Sequence, residues 1–212
     1  MRTVVHLVRH GEVHNPDGVL YGRLPGYELS DLGRRMAQVV ADHLVDHDIT
    51  RVVASPLARA QDTARPIAES HGLEIVTDDR VTEAENHFTG LNVAGGQGIF
   101  RQPRLYPLML NPFKPSWGEP YAHVAARMTA AIDDARRAVH GHEAVIVSHQ
   151  LPIWTARNAL TGRRLWHDPR KRQCTLASLT SLTYADDELE SVAYSEPAGS
   201  LLHLVHGKAV GA

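Results

Sequence analysis

Short apolar runs alternate along the chain with longer segments in which apolar residues recur every three or four positions. The runs are typical of buried strands, and the longer segments are typical of amphipathic helices. Strands are predicted over residues 3–8, 51–54, 73–76 and 144–148, and helices over residues 31–46, 57–70, 119–139 and 152–160. Strands that alternate with helices predict an α/β fold with a mostly parallel central sheet and helices on both faces.

Local signals predict several boundaries. Ser30 is a favourable N-cap for the first helix. Pro56 directly after Ser55 predicts the start of the second helix. Weak alternation over residues 174–184 and 189–194, joined by an Asp-Asp turn, predicts a hairpin at one edge of the sheet.

Residues 86–121 differ from the rest of the chain, because they contain five of the 12 prolines and all three phenylalanines. A stretch of this length without regular structure is usually functional or disordered, and its aromatic content argues against disorder. We expect an ordered insertion that walls a pocket, within one domain over residues 1–200; a packed surface loop is the alternative. Residues 201–212 form a C-terminal tail, which could dock on the domain or on a second copy of the chain.

Composition limits the classes of function. The chain has 212 residues, 43% of them hydrophobic, which suffices for a core. Its net charge of −2 provides no basic field for nucleic acid, and no apolar run approaches the ~18 residues of a membrane-spanning helix. The single cysteine, Cys174, fits a reducing compartment. We therefore expect a cytoplasmic protein that binds neither nucleic acid nor a membrane.

Polar groups follow three of the predicted strands. Arg9 and His10 end the first, Arg59 lies in the first turn of the helix after the second, and His149 follows the fourth. The carboxyl ends of parallel strands share one edge of a sheet, so we expect these side chains to converge. Guanidinium groups and helix N-termini match the charge of a phosphoryl group, and a neutral imidazole can attack phosphorus. The pattern predicts a site for a phosphorylated ligand.

Four ordered segments resemble the motifs of the histidine phosphatase superfamily, in the branch shared by cofactor-dependent phosphoglycerate mutases and small phosphatases. They are residues 9–12 (Arg-His-Gly-Glu), 55–64, 78–83 and 145–149. Their order and spacing match across about residues 3–160. The resemblance implies a phosphoglycerate mutase-like fold of three layers.

The resemblance also implies a role for each matched residue. His10 would be the nucleophile that becomes phosphohistidine, and Glu83 would protonate the leaving oxygen and then activate water. Arg9, Arg59 and His149 would hold the phosphoryl group. This scheme needs neither a metal nor a cofactor. His10 must be neutral to attack, His149 would help more as a cation, and burial would help Glu83 to keep its proton.

Three positions depart from the family pattern. Asn15, a further candidate phosphate ligand, is one residue closer to the histidine than in most relatives. Gln150, also a candidate phosphate ligand, replaces the usual glycine; its side chain would reshape the phosphate rim, which disfavours a mutase. The segment after Glu83 lacks the usual glycine and tryptophan, so Glu85 is a rival acid, although Glu83 keeps the expected offset from residues 78–80.

Substrate selectivity is expected from the loops at residues 14–27 and 86–121. The candidate pocket residues are Tyr21, Arg23, Phe88, Phe100, Tyr106, Trp117 and Tyr121. Their aromatic character predicts a leaving group larger than glycerate. Arg23, Arg101 and Arg104 are candidates for contacting a second anionic group.

The predicted function is hydrolysis of a small-molecule phosphomonoester through phosphohistidine. A cofactor-dependent phosphoglycerate mutase and a non-catalytic phospholigand-binding module are the alternatives, and a histidine-based metal protein is a weaker one. His43 and His47 are four residues apart, a spacing that can bind metal. A solvated helix face is the preferred interpretation of that pair.

Overall fold

Six strands form one sheet in the order β3-β2-β4-β1-β5-β6 in the computed structural model, which describes residues 1–92 and 118–205. The strands are β1 (Arg2–Arg9), β2 (Ile49–Ala54), β3 (Ile75–Thr77), β4 (Glu143–Ser148), β5 (Leu179–Ala185) and β6 (Glu188–Ser195). The helices are α1 (Asp31–Leu44), α2 (Ala58–Ser70), α3 (Tyr121–Ala138) and α4 (Gln150–Leu160). Short 3-10 turns span Asp79–Val81, Pro169–Lys171 and Gly199–Leu204.

The sheet is mostly parallel, which confirms the predicted α/β fold. Strands β1 to β4 pair in parallel, whereas β5 is antiparallel to both β1 and β6. The β5–β6 hairpin forms one edge of the sheet, as predicted. Its first strand begins at Leu179, five residues after the predicted start at residue 174. Ala177 precedes the strand with a φ of 53°, a left-handed conformation that cannot continue a strand.

Two apolar cores cover the two faces of the sheet and make the fold three layers thick. Val5 and Leu7 of β1 face the core formed with α3 and α4, whereas Val8 faces the core formed with α1 and α2. Leu201 and Leu202 pack against the second of these cores. The described part of the C-terminal tail therefore docks on its own domain.

The loop after β1 lies directly on the first turn of α1. Ser30 is the N-cap of this helix, as predicted, and its hydroxyl accepts a hydrogen bond from the backbone N–H of Gly33. A Cβ atom at Gly33 would lie 2.0 Å from the carbonyl oxygen of Glu12, and one at Gly11 would lie 2.5 Å from the carbonyl oxygen of Gly33. Only glycine allows this approach, which fixes the backbone next to the candidate nucleophile His10.

Helix α2 begins one residue later than predicted, and Ser55 does not cap it. Leu57 is the N-cap residue, and it makes no side-chain capping bond. The hydroxyl of Ser55 accepts a bond of 3.3 Å from the backbone N–H of Leu57 and lies 2.9 Å from Nε2 of His149. Ser55 thus joins the start of the helix to His149 and does not occupy the N-cap position that the sequence suggested. Within residues 1–92 and 118–205, the helices are too short or too polar to cross a bilayer.

Candidate active site

The carboxyl ends of β2, β4 and β1 lie side by side and bring the predicted side chains together. Arg9 and Ser148 are paired in register across β1 and β4, and the backbone N–H of His10 donates to the carbonyl of Ser148. The ring centroids of His10 and His149 are 5.2 Å apart. Arg9, His10, Arg59, Glu83 and His149 are each at most 3% exposed. The site is therefore a buried cluster of two cations, two imidazoles and one carboxyl group.

The geometry of His10 suits a nucleophile. Its Nδ1 lies 2.8 Å from the carbonyl oxygen of Gly11, so Nδ1 carries the proton and Nε2 keeps its lone pair. The backbone N–H of Gly11 donates to the hydroxyl of Thr63, which fixes the peptide that orients the ring. Burial, and then the positive charges of Arg59 and Arg9, hold the pKa of His10 well below its usual 6.5. The ring is neutral, as an attack on phosphorus requires.

Two arginines present unpaired donors in the site. Arg59 donates through Nη2 to the carbonyl oxygen of Gly22, and its guanidinium lies 4.8 Å from the ring centroid of Tyr21. Arg9 donates through Nη1 to the carbonyl oxygen of Cys174. The Nε atoms of both arginines are buried and have no hydrogen-bond partner among the described residues. Buried donors without partners are costly, and an anionic ligand would satisfy them.

His149 is held by Ser55 and faces Glu83. Its Nε2 lies 2.9 Å from the Ser55 hydroxyl, and its buried Nδ1 has no hydrogen-bond partner in the described part of the chain. This Nδ1 lies 4.0 Å from Oε2 of Glu83. Burial, and then Arg59, His10 and Arg9, hold the pKa of His149 well below 6.5. Burial and the adjacent guanidinium groups thus favour the neutral ring, and a cationic His149 beside a bound phosphoryl group stays a prediction.

Glu83 matches the general acid better than Glu85 does. Glu83 is 2% exposed, and burial raises the pKa of its carboxyl, as expected for an acid that keeps its proton. The side chain of Glu85 is 69% exposed and pairs with Arg23. Arg23 also donates to the carbonyl oxygen of Glu83 and pairs with Glu119. Its guanidinium thus bonds to three protein acceptors, and contact of Arg23 with a second anionic group stays a prediction.

The two additional phosphate candidates bond to other protein groups. The carboxamide of Asn15 bonds to both the carbonyl oxygen and the N–H of Val19, which closes the local turn. The carboxamide of Gln150 donates to the carbonyl oxygen of Cys174 and accepts from Nη1 of Arg172, each at 3.3 Å. Direct contact of these two side chains with phosphate stays a prediction.

Arg172 and Ser55 are the side chains that the sequence reasoning missed as parts of the site. A cleft next to Glu83 is lined by Arg172, Glu119 and Tyr121. Burial is the main cause of a lowered pKa at Arg172, and its Nε lies 2.8 Å from Nε2 of His167. Arg172 lies in a loop without periodicity, so the sequence gives no signal for its place next to Gln150.

The aromatic pocket candidates are only partly described. Tyr21 is buried against Arg59 and stacks on Tyr27. Phe88 is buried, and Tyr121 lines the cleft. Five further candidates lie outside the described residues: Trp117, Phe100, Tyr106, Arg101 and Arg104.

One group of side chains in the described ranges has metal-ligand spacing, and it lies apart from this site. It consists of His6, His47 and Glu143. Helix α1 ends at Leu44, and His47 lies in the connection that follows, with Nδ1 at 2.7 Å from Glu143. The interpretation of His43 and His47 as a solvated helix face is therefore wrong for His47.

Comparison with known proteins gives consistent results. The model of the histidine phosphatase superfamily (branch 1) matches residues 5–197. The "Uncharacterized protein Rv0525" of Mycobacterium tuberculosis is 59% identical over 196 residues, which are 92% of this chain and 97% of that protein. The "Probable phosphoglycerate mutase GpmB" of Yersinia enterocolitica is 30% identical over 217 residues, with 94% of each chain covered. The solved structure of mycobacterial glucosyl-3-phosphoglycerate phosphatase Rv2419c has a TM-score of 0.72 at 25% identity, with 92% of this chain and 97% of that chain covered.

Proposed function

The chain belongs to branch 1 of the histidine phosphatase superfamily, and on that premise we propose that it hydrolyses a small-molecule phosphomonoester through a phosphohistidine. The observation that carries the proposal is a set of three buried nitrogen atoms without hydrogen-bond partners among the described residues. They are Nε of Arg9, Nε of Arg59 and Nδ1 of His149, and they belong to the side chains that cluster around His10. A phosphoryl group, with its charge spread over three oxygens, would satisfy all three donors.

In the first step, Nε2 of His10 attacks phosphorus. The N–P bond forms as the ester P–O bond breaks, and the proton of the Glu83 carboxyl passes to the leaving oxygen. The lowered pKa of His10 supplies the lone pair, and the raised pKa of Glu83 supplies the proton. The two arginines and Nδ1–H of His149 stabilise the charge on the equatorial oxygens.

In the second step, the Glu83 carboxylate removes a proton from water, and the oxygen attacks the phosphohistidine. The P–O bond forms as the N–P bond breaks, so that inorganic phosphate leaves and His10 returns to its neutral form. Glu83 ends the cycle protonated. One water is consumed for each ester, and this scheme routes no step through a metal or a cofactor.

The proposed substrate is a phosphoester with an organic group larger than glycerate. Tyr121 and Arg172 line the cleft next to Glu83, where the leaving group would lie. The most informative test is a panel of sugar, nucleotide, aryl and three-carbon phosphates with phosphate release as the readout. Turnover of at least one larger ester supports the proposal. A preference for the smallest three-carbon esters contradicts the size assignment, and release from no ester contradicts hydrolysis.

A phosphoglycerate mutase is the second candidate, because the relative from Yersinia enterocolitica carries that name at 30% identity. The Gln150 carboxamide bonds to Arg172 and to the carbonyl of Cys174, and a side chain at this position in place of glycine would disfavour the turning of a bisphosphate. A coupled assay with 2,3-bisphosphoglycerate separates the two activities. Isomerisation faster than phosphate release would favour the mutase over the phosphatase.

A further inference from the structure

Two histidines and one carboxylate converge near the amino ends of the parallel strands, away from the candidate active site. His6 lies in β1, Glu143 is the first residue of β4, and His47 lies in the connection between α1 and β2. The strand β1 carries His6 four residues before His10, a distance of roughly 13 Å along an extended chain. The phosphatase scheme does not use this group.

The three side chains share one oxygen atom. Oε2 of Glu143 lies 2.9 Å from Nε2 of His6 and 2.7 Å from Nδ1 of His47. The potential ligand atoms all lie within 4.8 Å of one another. The side chains of His6, Glu143 and His47 are 5%, 16% and 36% exposed. The group is therefore largely buried but accessible from the side of His47.

Two imidazoles and a carboxylate are a donor set that zinc and other divalent transition metals bind. Ligand atoms at about 2.0–2.2 Å from zinc lie roughly 3.3 Å apart in a tetrahedron. The N···O distances at Glu143 would have to widen by about half an ångström, and the two imidazole nitrogens, which lie within 4.8 Å of each other, would have to approach to roughly 3.3 Å. Rotations of the side-chain torsions within their staggered wells would make both changes.

Ser181 provides the outer partner that ligating histidines usually have. Its hydroxyl lies 2.8 Å from Nδ1 of His6. A hydroxyl both donates and accepts, so it can accept a hydrogen bond from Nδ1–H and leave the Nε2 lone pair of His6 free for an ion. A further imidazole, that of His43 in the last turn of α1, lies 6.1 Å from the His47 ring.

We propose that His6, His47 and Glu143 bind one divalent transition-metal ion at a site separate from the catalytic centre. The ion would tie the connection between α1 and β2 to strands β1 and β4. The three ligands are brought together only in the folded chain. The ion would therefore bind that state and stabilise the fold by mass action. Without an ion, the same groups form a hydrogen-bonded triad, and the experiment separates these two states.

The test uses the full chain after removal of metal with a chelator and dialysis. Zinc is titrated by calorimetry, cobalt absorption reports the ligand geometry, and thermal melts report stability. We expect one zinc ion per chain and a higher Tm with zinc. Glu143→Gln and His47→Ala should each weaken binding at least about 10-fold. His142→Gln removes a nearby exposed histidine–aspartate pair and should bind zinc as the wild type does.

A second control, His10→Ala, separates this site from the catalytic histidines, and it should keep full zinc affinity. Zinc binding that is lost in His10→Ala but kept in Glu143→Gln and His47→Ala would overturn the proposal. No zinc binding by the wild type would overturn it as well. Circular dichroism of each variant precedes the titrations; if Glu143→Gln does not fold, the partly exposed His47 variant carries the test.

Discussion

Replacement of Glu83 by glutamine isolates the proton that the proposed mechanism transfers. The Glu83 carboxyl is buried, and its Oε1 accepts a hydrogen bond of 2.8 Å from the backbone N–H of Ala84. The amide oxygen of glutamine can accept the same bond in the same volume. The variant should therefore fold normally and lose only the capacity to give and take a proton.

The expected loss of rate follows from that role. A positioned general acid or base contributes about 10²–10⁴-fold, or about 3–5 kcal/mol of transition-state stabilisation. We expect kcat of Glu83→Gln to fall by this factor with alkyl phosphates, whose leaving oxygen needs a proton. An aryl phosphate has a stable leaving anion, so its first step should slow much less. The second step still lacks its base, so a burst of one phenol per site should precede slow turnover.

The pH dependence gives a second signature. Because Glu83 must be protonated in the first step, kcat/KM falls as the pH rises through its pKa, which burial raises above 4.5. Because His10 must be neutral, kcat/KM falls as the pH decreases through its pKa, which lies well below 6.5. Glu83→Gln should remove the basic limb and keep the acidic limb.

Glu85→Gln is the matched control, because it removes the exposed rival carboxylate two residues away. Steady-state assays with alkyl and aryl esters, together with rapid-quench measurement of the burst, compare the two variants. Glu85→Gln should stay within about twofold of the wild type, as expected for an exposed ion pair. Wild-type rates in Glu83→Gln, or a large loss confined to Glu85→Gln, would refute the assignment.

Three further changes test the surroundings of the site. Arg59→Lys should lower kcat/KM about 10²–10³-fold, because an ammonium lacks the planar fork that meets two phosphoryl oxygens; initial rates measure it, and a loss below tenfold would contradict it. Ser55→Ala should lower kcat roughly 10-fold at unchanged KM, since His149 loses the bond that orients it; an equal rise in KM would indicate a general structural defect instead. Hydrogen bonds from Arg80 hold the pKa of Asp78 below its usual value. The ionised carboxylate therefore stabilises the fold above about pH 4, and this contribution is lost as the pH falls through the lowered pKa. Asp78→Asn should lower the free energy of unfolding at pH 7 by about 1 kcal/mol in urea titrations, and an equal difference at pH 3 would contradict the charge argument.

Much of the fold is predictable because its signals are local. The apolar runs of β1 and β4 identify buried strands, and Ser30 caps α1 as its position suggests. The phosphoryl cluster is predictable for a related reason, since Arg9, His10 and His149 follow strands whose carboxyl ends must share one edge.

Two predictions were wrong because they depend on contacts between distant parts of the chain. Ser55 has the sequence of a helix cap, but its hydroxyl meets His149, 94 residues away. His47 meets Glu143 through the same kind of long-range contact. A pattern of neighbouring residues contains no information on such partners.

The protonation state of His149 also depends on the assembled site. Burial, and then the positive charges of Arg59, His10 and Arg9, lower the pKa of this ring. The residue type alone contains no information on that burial.

The most direct measurement is the trapping of a phosphorylated enzyme. The full chain is mixed with a ³²P-labelled ester that it turns over and is quenched in base, and the labelled peptide is identified. The account predicts an acid-labile, base-stable label on the peptide that contains His10, and no label or turnover in His10→Ala. Full turnover in His10→Ala, or a label on any other residue, would contradict it.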